Sequence, residues 1–299
     1  MGHAAPGAVV VGYDGSEQAV AALRWAVAEA RRRRTSLHVV YAADYPGLVP
    51  GPIGVNPWLP ERAVAVAADV AVGGQDRART LAPELTVTHR AEIGSAAGVL
   101  VEESADAALL VVGTRGHGDL AGLLLGSVAF AVSAHAHCPV AVVRGDGSAG
   151  PGAGRPVVVG VDGSKPAEAA AGVAASLAAR DGAPLVVAAA WHPAAAETWE
   201  AAYWTSVQPG QQLGEAARRA AQDVADEAAR TARELHPGLE VGTEVVGGPA
   251  DRVLADLSLD ASLVVVGARG RGGFAGLVLG SVSHGVIHRS SCPVLVVRS

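Results

Sequence analysis

The sequence predicts an α/β protein made of two tandem doubly wound domains, each a parallel sheet with helices on both faces. Three observations support this fold class: a long internal repeat, an alternation of short Val- and Leu-rich runs with Ala-rich helical stretches, and a Gly-rich segment between the copies. Strands that are apolar on both faces and separated by helices are typical of a buried parallel sheet. Each half of the chain is therefore expected to fold as one domain.

The repeat gives the domain boundaries. Residues 9–16, VVVGYDGS, return at 157–164 as VVVGVDGS, 148 positions later, whereas Cys138-Pro-Val returns at Cys292 after 154 positions. The second copy therefore has six extra residues between its first and fourth strands. The Gly-rich segment between the two copies contains no large apolar residue that could contribute to a core. We predict domains at 1–146 and 155–299, joined by a flexible linker at 147–154.

The elements follow from the apolar runs and the helical patterns between them. In the first copy we predict strands near 8–13, 37–42, 85–91, 107–113 and 139–144, with helices near 16–33, 61–82, 95–104 and 127–136. Two long segments, 43–60 and 192–210, interrupt this alternation, and the second contains Trp199, Tyr203 and Trp204. Such a segment is either a functional lid or interface, or a loop whose aromatic residues pack it onto its own domain.

Composition excludes several classes of protein. The chain has 299 residues, 50% hydrophobic and 17% charged, which is enough for sizeable cores and too apolar for a disordered chain. The mean hydropathy is +0.30, but the apolar runs are too short for a membrane-spanning helix. No secretory leader is apparent, and two cysteines cannot form a disulfide framework. We expect a cytoplasmic protein with no membrane insertion.

Charge argues against a nucleic-acid partner. The formal net charge is −6, whereas a general nucleic-acid binder displays a basic face. The run Arg31–Arg34 is the exception, and it follows a helical pattern, so we interpret it as a solvated helix end rather than a nucleic-acid patch. The Ala- and Arg-rich composition, with Lys165 as the single lysine, is typical of a GC-rich bacterial genome.

Two glycine-rich loops carry the strongest chemical signal. Residues 113–127 and 267–281 both have the form G-x2-G-x9-G-S. Glycine permits a positive φ and a close approach of backbone N–H groups to an anion. The final Gly-Ser begins a helix whose free N–H groups attract phosphate, and the Ser hydroxyl either caps that helix or donates to a phosphate oxygen. A tight turn without a ligand is the alternative, but the same spacing in both copies favours a phosphate site.

Charged residues flank these loops at matching positions. Arg115 and Arg269 are placed to act as charge partners of phosphate, although surface arginines are common. Asp14 and Asp162 end the first strand of each copy, where ligands of doubly wound sheets bind. Phosphates repel a carboxylate, so we assign these aspartates to a ribose hydroxyl, an adenine amine or a metal. The alternative is a helix cap, a role also open to the serine two positions later.

Several catalytic motifs are absent from the sequence. Neither copy contains G-x-x-x-x-G-K-[ST], and no G-x-G-x-x-G follows the first strand, which excludes P-loop and dinucleotide-binding interpretations. Of His135, His137 and Cys138, only the cysteine has an equivalent in the second copy. We therefore do not predict a metal site there. No repeated Ser/His/Asp or Cys/His set is present.

The chain resembles the universal stress protein family in its tandem, ATP-binding form. The resemblance rests on the VVVGYDGS strand, the G-x2-G-x9-G-S loops and the closing Cys-Pro-Val strands, in both copies and over nearly the whole chain. It implies five parallel strands per domain in the order 3-2-1-4-5, with ATP between strands one and four. In the family the edge of strand five forms a dimer contact, and here both copies share one chain, so we hypothesise that the fifth strands, 140–144 and 294–298, pair antiparallel with each other and that whole chains form a homodimer through other surfaces.

The resemblance implies a set of binding residues in each copy. In the first, they are Gly12, Asp14, Ala42, Val112, Gly113, Arg115, Gly116, Gly126, Ser127 and Val128. In the second, they are Gly160, Asp162, Ala190, Val266, Gly267, Arg269, Gly270, Gly280, Ser281, Val282 and Ser283. Ala129 departs from the family, which often has a hydroxyl residue like Ser283 there, so we expect the first site to hold a triphosphate less well. Mg²⁺ is expected with ATP, near Asp14 and Asp162.

The resemblance favours a stress-response regulator, a sensor that binds one ATP per domain and responds by changing its shape or its regulatory protein partner. The alternative is a slow ATPase or phosphotransferase that uses the same loops. Phosphoryl transfer requires a positioned base and electrophilic groups, and no repeated residue beyond the Asp and Arg pairs supplies them, so we expect slow turnover at most. A dimer with degenerate sites is disfavoured because both loops are intact.

Overall fold

The computed structural model describes residues 3–43, 61–116, 125–147, 154–192, 210–271 and 279–298. Trp199, Tyr203 and Trp204 lie outside these residues, as do the central parts of both glycine-rich loops. The chain divides into two compact units, Met1–Ala149 and Gly150–Ser299. This division falls inside the segment predicted as the linker.

The first unit contains the nine predicted elements, and most of their bounds lie within two residues of the prediction. They are β1 (Val9–Gly12), α1 (Glu17–Arg33), β2 (Leu37–Ala43), α2 (Glu61–Leu81), β3 (Val87–Ile93), α3 (Ala96–Glu103), β4 (Leu109–Gly113), α4 (Ser127–His135) and β5 (Val140–Val143). Strand β3 begins two residues later than predicted because Leu85 is still part of a turn, its N–H donating to the carbonyl of Ala82 at 3.0 Å.

The second unit repeats the same order of elements. They are β6 (Val157–Gly160), α5 (Lys165–Asp181), β7 (Leu185–Trp191), α6 (Gly210–Leu235), β8 (Val241–Gly247), α7 (Ala250–Leu257), β9 (Leu263–Gly267), α8 (Ser281–Arg289) and β10 (Val294–Val297). Within the described residues, helix α6 has 26 residues and its counterpart α2 has 21.

Each unit has a parallel sheet in the predicted order. In the first unit the strands run β3-β2-β1-β4-β5, and in the second the corresponding strands run β8-β7-β6-β9-β10. In the first unit α1 packs with α2, and α3 packs with α4, which places the two pairs on opposite faces of the sheet. The doubly wound α/β fold is confirmed for both units.

The central strands form the floor of each core. Val9, Val10 and Val11 of β1 and Leu109 and Leu110 of β4 are fully buried. The chain leaves β1 towards one face of the sheet and leaves β4 towards the other, so a crevice opens between their carboxyl ends. No helix in the described parts of the chain is long and apolar enough to cross a bilayer.

The arginine run ends α1, as predicted. Arg34 is the C-cap with φ 53°, and the preceding arginines lie in the last helical turn. Glu29 is buried and accepts hydrogen bonds from Arg32 Nε at 3.0 Å and Arg33 Nε at 2.6 Å, while Arg31 Nε lies 2.7 Å from Glu84. Two carboxylates, Glu29 and Glu84, therefore balance part of the charge of the four arginines at this helix end.

Candidate functional site

The carboxyl ends of β1 and β4 lie side by side in the first unit. Val11 is opposite Val111 in the parallel register, so residues 12–14 and 112–113 leave the sheet together. In the second unit Val159 is opposite Val265, which brings 160–162 beside 266–267 in the same way. The fold thus joins motifs that are about 100 residues apart in each copy.

All the predicted binding residues line a cavity at this edge. In the first unit, the cavity has a volume of about 620 Å³ and its walls include Gly12, Asp14, Ala42, Val112, Gly113, Arg115, Gly116, Gly126, Ser127 and Val128. In the second unit, the cavity has a volume of about 490 Å³, with Gly160, Asp162, Ala190, Val266, Gly267, Arg269, Gly270, Gly280, Ser281, Val282 and Ser283 in its walls. A site of this size suits a small organic ligand.

Asp14 does not cap the helix that follows it. The N-cap of α1 is Ser16, whose Oγ accepts from the N–H of Ala19 at 3.2 Å, and Asp14 Oδ1 accepts from the N–H of Ser16 at 2.9 Å. The other carboxylate oxygen lies so close to Gly116 that a Cβ at this glycine would overlap it. The carboxylate therefore stands between the strand end and the glycine-rich loop.

Asp162 shows the same arrangement with both oxygens in hydrogen bonds. Oδ1 accepts from the N–H of Ser164 at 3.0 Å, and Oδ2 accepts from the N–H of Arg271 at 2.9 Å. These bonds fasten the end of β6 to the glycine-rich loop. Each carboxylate oxygen retains capacity for a further donor, such as a ribose hydroxyl.

The glycines of the loop serve close packing, and the expectation of a positive φ is wrong for the first two of each loop. None of Gly113, Gly116, Gly267 or Gly270 has a left-handed φ. A Cβ at Gly113 would lie 2.8 Å from the carbonyl oxygen of Gln18 in α1. The glycine is thus required because a helix passes directly against it.

The end of each loop is the N-terminus of a helix without a side-chain cap. Gly126 is the N-cap of α4 and Gly280 is the N-cap of α8, and neither helix has a side-chain capping bond. The alternative that Ser127 caps its helix is therefore wrong, since this serine is the first helical residue. The N–H groups of the first turn have no intrahelical acceptor and lie in the cavity wall, which is a ready position for an anion.

A backbone bond closes the base of each loop. The N–H of Gly126 donates to the carbonyl of Thr114 at 2.7 Å, and the N–H of Gly280 donates to that of Ala268 at 2.8 Å. The residues between them lie outside the described part of the chain. The two ends of the loop are consequently held at a fixed separation in both units.

Ser283 has an internal partner. Its hydroxyl is buried and donates to the carbonyl of Gly267 at 2.7 Å, so its hydrogen is used within the protein. Ala129 occupies the equivalent wall of the first cavity. Because the Ser283 hydroxyl does not have a free hydrogen for a phosphate, the lack of a hydroxyl at Ala129 no longer predicts weaker triphosphate binding at the first site.

Each unit brings two arginines together at the ends of neighbouring strands. Burial lowers the pKa of Arg144, and the positive charge of Arg115 lowers it further. Arg298 has a lowered pKa for the same two causes, with Arg269 as the neighbouring charge. In each unit, two guanidinium groups at neighbouring strand ends therefore lie close enough to influence each other.

The sequence prediction missed part of the apolar wall. Leu100 of α3 lines the first cavity, and Leu254 of α7 lines the second. Their side chains lie under Gly12 and Gly160, where a Cβ would lie 3.0 Å and 2.7 Å from the nearest leucine carbon. The two leucines are 154 positions apart, the offset of the second half of the repeat, so the repeat itself contained the signal.

The described residues contain no group of three or more His, Cys, Asp or Glu side chains able to hold a metal ion. Mg²⁺ is commonly bound by one or two carboxylates together with substrate phosphates, so Asp14 or Asp162 is compatible with an ion that arrives with a nucleotide. Such an ion would be bound jointly by a carboxylate of the chain and by the phosphates of the ligand.

The fold and the site together define a class of protein: a tandem α/β protein with one ligand cavity at the sheet switch point of each half. The chain belongs to the universal stress protein family, whose model matches residues 7–144 and again 154–298. The resemblance to this family is confirmed for both copies.

Curated relatives of full length support the assignment. The chain is 35% identical over 296 residues to the universal stress protein Rv2623 of Mycobacterium tuberculosis, covering 97% of this chain and 96% of that protein. It is also 35% identical over 301 residues to Rv2005c of the same organism, with the same coverage. A crystal structure of a universal stress protein from Archaeoglobus fulgidus, 19% identical, superposes with a TM-score of 0.68 over 97% of this chain and 96% of that one.

Proposed function

We propose that each unit binds one ATP in its cavity and that the protein is a ligand-dependent stress regulator. The observation that carries this proposal is the agreement between motif and geometry. Residues chosen from separated motifs line one cavity in each unit, and an uncapped helix N-terminus forms one wall of it. A ligand with a phosphate end and a less polar end matches such a cavity.

The proposed ligand lies with its phosphates towards α4 or α8. Ser127 and Val128 offer backbone N–H groups there, and Arg115 adds a positive charge. The nucleoside lies towards Asp14 and the backbone of Ala42, where the wall is formed by the end of β2. A carboxylate oxygen of Asp14 or Asp162 would help to hold a Mg²⁺ ion, which would neutralise part of the phosphate charge.

Turnover is disfavoured because phosphoryl transfer requires a positioned base and electrophilic groups, and among the described residues the two cavity walls share no ionisable side chains beyond one aspartate and one arginine. A slow ATPase or phosphotransferase is the alternative, and phosphate release over hours from the ATP-loaded protein distinguishes it from a binding module.

The regulatory part of the proposal includes the cell compartment and the partners. We place the protein in the cytoplasm as a homodimer that acts through a regulatory protein partner. Cys138 and Cys292 are free and buried, which suits a reducing compartment. Burial raises the pKa of their thiols to about 11 and about 12, so neither is poised as a reactive thiolate.

Calorimetry on protein stripped of bound ligand tests the binding step. We expect two ATP per chain. Ser127→Asp and Ser281→Asp provide matched single-site variants, because an aspartate in the first helical turn stabilises the helix while repelling phosphate. Each is expected to lower the stoichiometry from two to one. A stoichiometry of zero in the parent contradicts the proposal, and unchanged binding in either variant contradicts the phosphate placement.

A further inference from the structure

The two cavities differ in their aromatic walls. Tyr13 and Tyr41 line the first cavity, and their equivalents 148 positions later are Val161 and Ala189. Val161 lines the second cavity, which is the smaller of the two. The Tyr13 ring is buried against α2, where its Cδ1 would lie 2.7 Å from a Cβ built on Gly74, so of the two tyrosines only the partly exposed Tyr41 offers side-chain surface to the first site.

The cavities also differ in charge. Among the described lining residues, the first has one carboxylate and one guanidinium, Asp14 and Arg115. The second has Asp162 with two guanidinium groups, Arg269 and Arg271. The equivalent of Arg271 in the first copy is a histidine outside the described residues. Among the described residues, the lining of the second cavity therefore carries one more positive charge than that of the first.

The backbone of Arg271 is held at the mouth of the second cavity, and the residue is exposed. Its backbone N–H donates to Asp162 Oδ2 at 2.9 Å, and its guanidinium carbon lies 3.9 Å from the position of a Cβ built on Gly163. The side chain thus lies over the turn between β6 and α5. Because the backbone makes the bond to Asp162, replacing the side chain leaves that bond in place.

Charged residues near the cavities do not cancel the difference in charge between the two sites. Arg144 and Arg298 occupy equivalent places in the two units and cancel in the comparison. Asp251, on the helix that forms one wall of the second cavity, pairs with Arg289 Nη1 at 2.6 Å. Outside the lining, Lys165 replaces Glu17 at the start of the first helix of the unit.

One change in this region acts in the opposite direction. The second unit has Glu168 where the first has Val20. The exchange of Glu17 for Lys165 makes the second unit more positive by two charges. The negative charge of Glu168 reduces this difference to one charge. The second site therefore remains the more positive.

We propose that the second cavity is selective for the more highly charged nucleotide polyphosphates, with Arg271 as the specificity-determining residue. This inference rests on the proposed function. The additional guanidinium in the second cavity attracts each further phosphate charge, whereas in the first cavity Tyr41 contacts the nucleoside whatever the number of phosphates. The first cavity accordingly discriminates less between ATP and AMP.

Single-site chains allow the two preferences to be measured separately. Ser281→Asp leaves the first site, and Ser127→Asp leaves the second. We expect the ratio of ATP to AMP affinity, measured by calorimetry, to be about ten-fold larger at the second site, as one additional charge-assisted contact implies. We also expect the ATP affinity of the second site to fall more steeply with salt.

Arg271→Gln in the Ser127→Asp chain tests the assigned residue. We expect its ATP affinity to fall by about ten-fold and its AMP affinity to change by less than about three-fold. Arg218→Gln, on an exposed face of α6 away from the cavity, is the matched control and is expected to change neither. Equal losses for ATP and AMP in the Arg271 variant indicate a merely structural role and overturn the inference.

The outcomes also separate the inference from the proposed function. Binding at both sites with equal ATP to AMP ratios overturns the inference and leaves the proposed function in place. Absence of nucleotide binding by the parent chain overturns the proposed function itself.

Discussion

Gly113 and Gly267 are required by the helix that packs against each of them. A Cβ at Gly113 would meet the carbonyl of Gln18, and a Cβ at Gly267 would lie 2.8 Å from the backbone of Pro166. Backbone atoms cannot move aside as the end of a flexible side chain can. A bulky residue at Gly113 would therefore lose binding by disturbing the fold, which makes it a poor test of phosphate contact.

Gly113→Ala is expected to destabilise the protein by about 1–3 kcal/mol, since the added methyl displaces α1 from β4. Gly73→Ala is the matched control in the same unit. Gly73 lies within α2, and a Cβ there would meet no atom within 4 Å, so this change is expected to stabilise by about 0.5–1 kcal/mol. Denaturant unfolding measures both. Equal stabilities of the two variants would contradict the steric role of Gly113.

At the scale of the element, α3 joins a wall of the first cavity to a buried charged cluster. Leu100 lines the cavity, and Glu103 at the end of the same helix is buried. Glu103 Oε2 accepts from the N–H of Ala4 at 2.9 Å, and Arg90 donates to its other oxygen. His38 is buried beside it: its Nδ1 lies 2.7 Å from Thr88 Oγ1, whereas its Nε2 lies 3.7 Å from Glu103 Oε2 and has no hydrogen-bond partner.

This cluster was not predicted, for a physical reason. Its members come from β2, β3 and α3, so only the parallel register brings them together, and no local pattern marks them. The second unit has Val186, Glu244 and Leu257 at the positions of His38, Arg90 and Glu103. By contrast, the elements themselves follow from local apolar periodicity and were predicted well.

The pKa values in the cluster give a direction for the pH dependence. Burial is the main cause that lowers the pKa of His38 below its ordinary 6.5; the positive charges of Arg90, His89 and His3 add to this, and Glu103 opposes it. Burial alone would raise the pKa of Glu103, but the hydrogen bonds and neighbouring positive charges outweigh it and hold the pKa below 4.5.

Both shifts make acid destabilising. A group whose pKa is lower in the folded state contributes stability above its unfolded pKa and loses it as the pH falls towards the folded value. We therefore expect the first unit to lose stability below about pH 6.5 through His38 and again below about pH 4.5 through Glu103. Hydrogen exchange of α3 and α7, followed from pH 7 to pH 5, reports the stability of the first and second units separately.

The variant His38→Val, which adopts the residue of the second unit, tests the assignment. It removes the group that titrates first, so the acid sensitivity of α3 between pH 7 and pH 5 is expected to diminish. Helix α7 supplies the internal control, since its unit has Val186 and Leu257 in place of His38 and Glu103. An unchanged pH dependence of α3 in the variant would contradict the role of His38.

At the scale of the whole molecule, the repeat explains how much of the site the sequence could predict. Positions that match a motif in both copies, such as Asp14 and Asp162, were placed in the cavity walls because parallel strands end at one edge. The walls formed by Leu100 and Tyr41 depend on which way a side chain points from its helix or strand. That direction follows from packing between elements, which a motif does not encode.

The repeat also predicts that ligand binding has separate effects in the two units. The first-turn N–H groups of α4 and α8 have no intrahelical acceptor, so they exchange readily without a ligand. A phosphate bound at each helix is expected to slow exchange at Ser127–Ala129 and Ser281–Ser283. At an ATP concentration of about 100 times the dissociation constant, each occupied site stabilises its unit by about 2.7 kcal/mol.

Exchange measured by mass spectrometry in the Ser127→Asp chain completes this test. We expect ATP to protect the start of α8 as in the parent and to leave the start of α4 unprotected, because the aspartate repels phosphate only where it has been introduced. Arg218→Gln, remote from both helices, should retain protection at both. Loss of protection at α8 in the Ser127→Asp chain would show that the second site depends on occupation of the first, and would contradict two sites that bind independently.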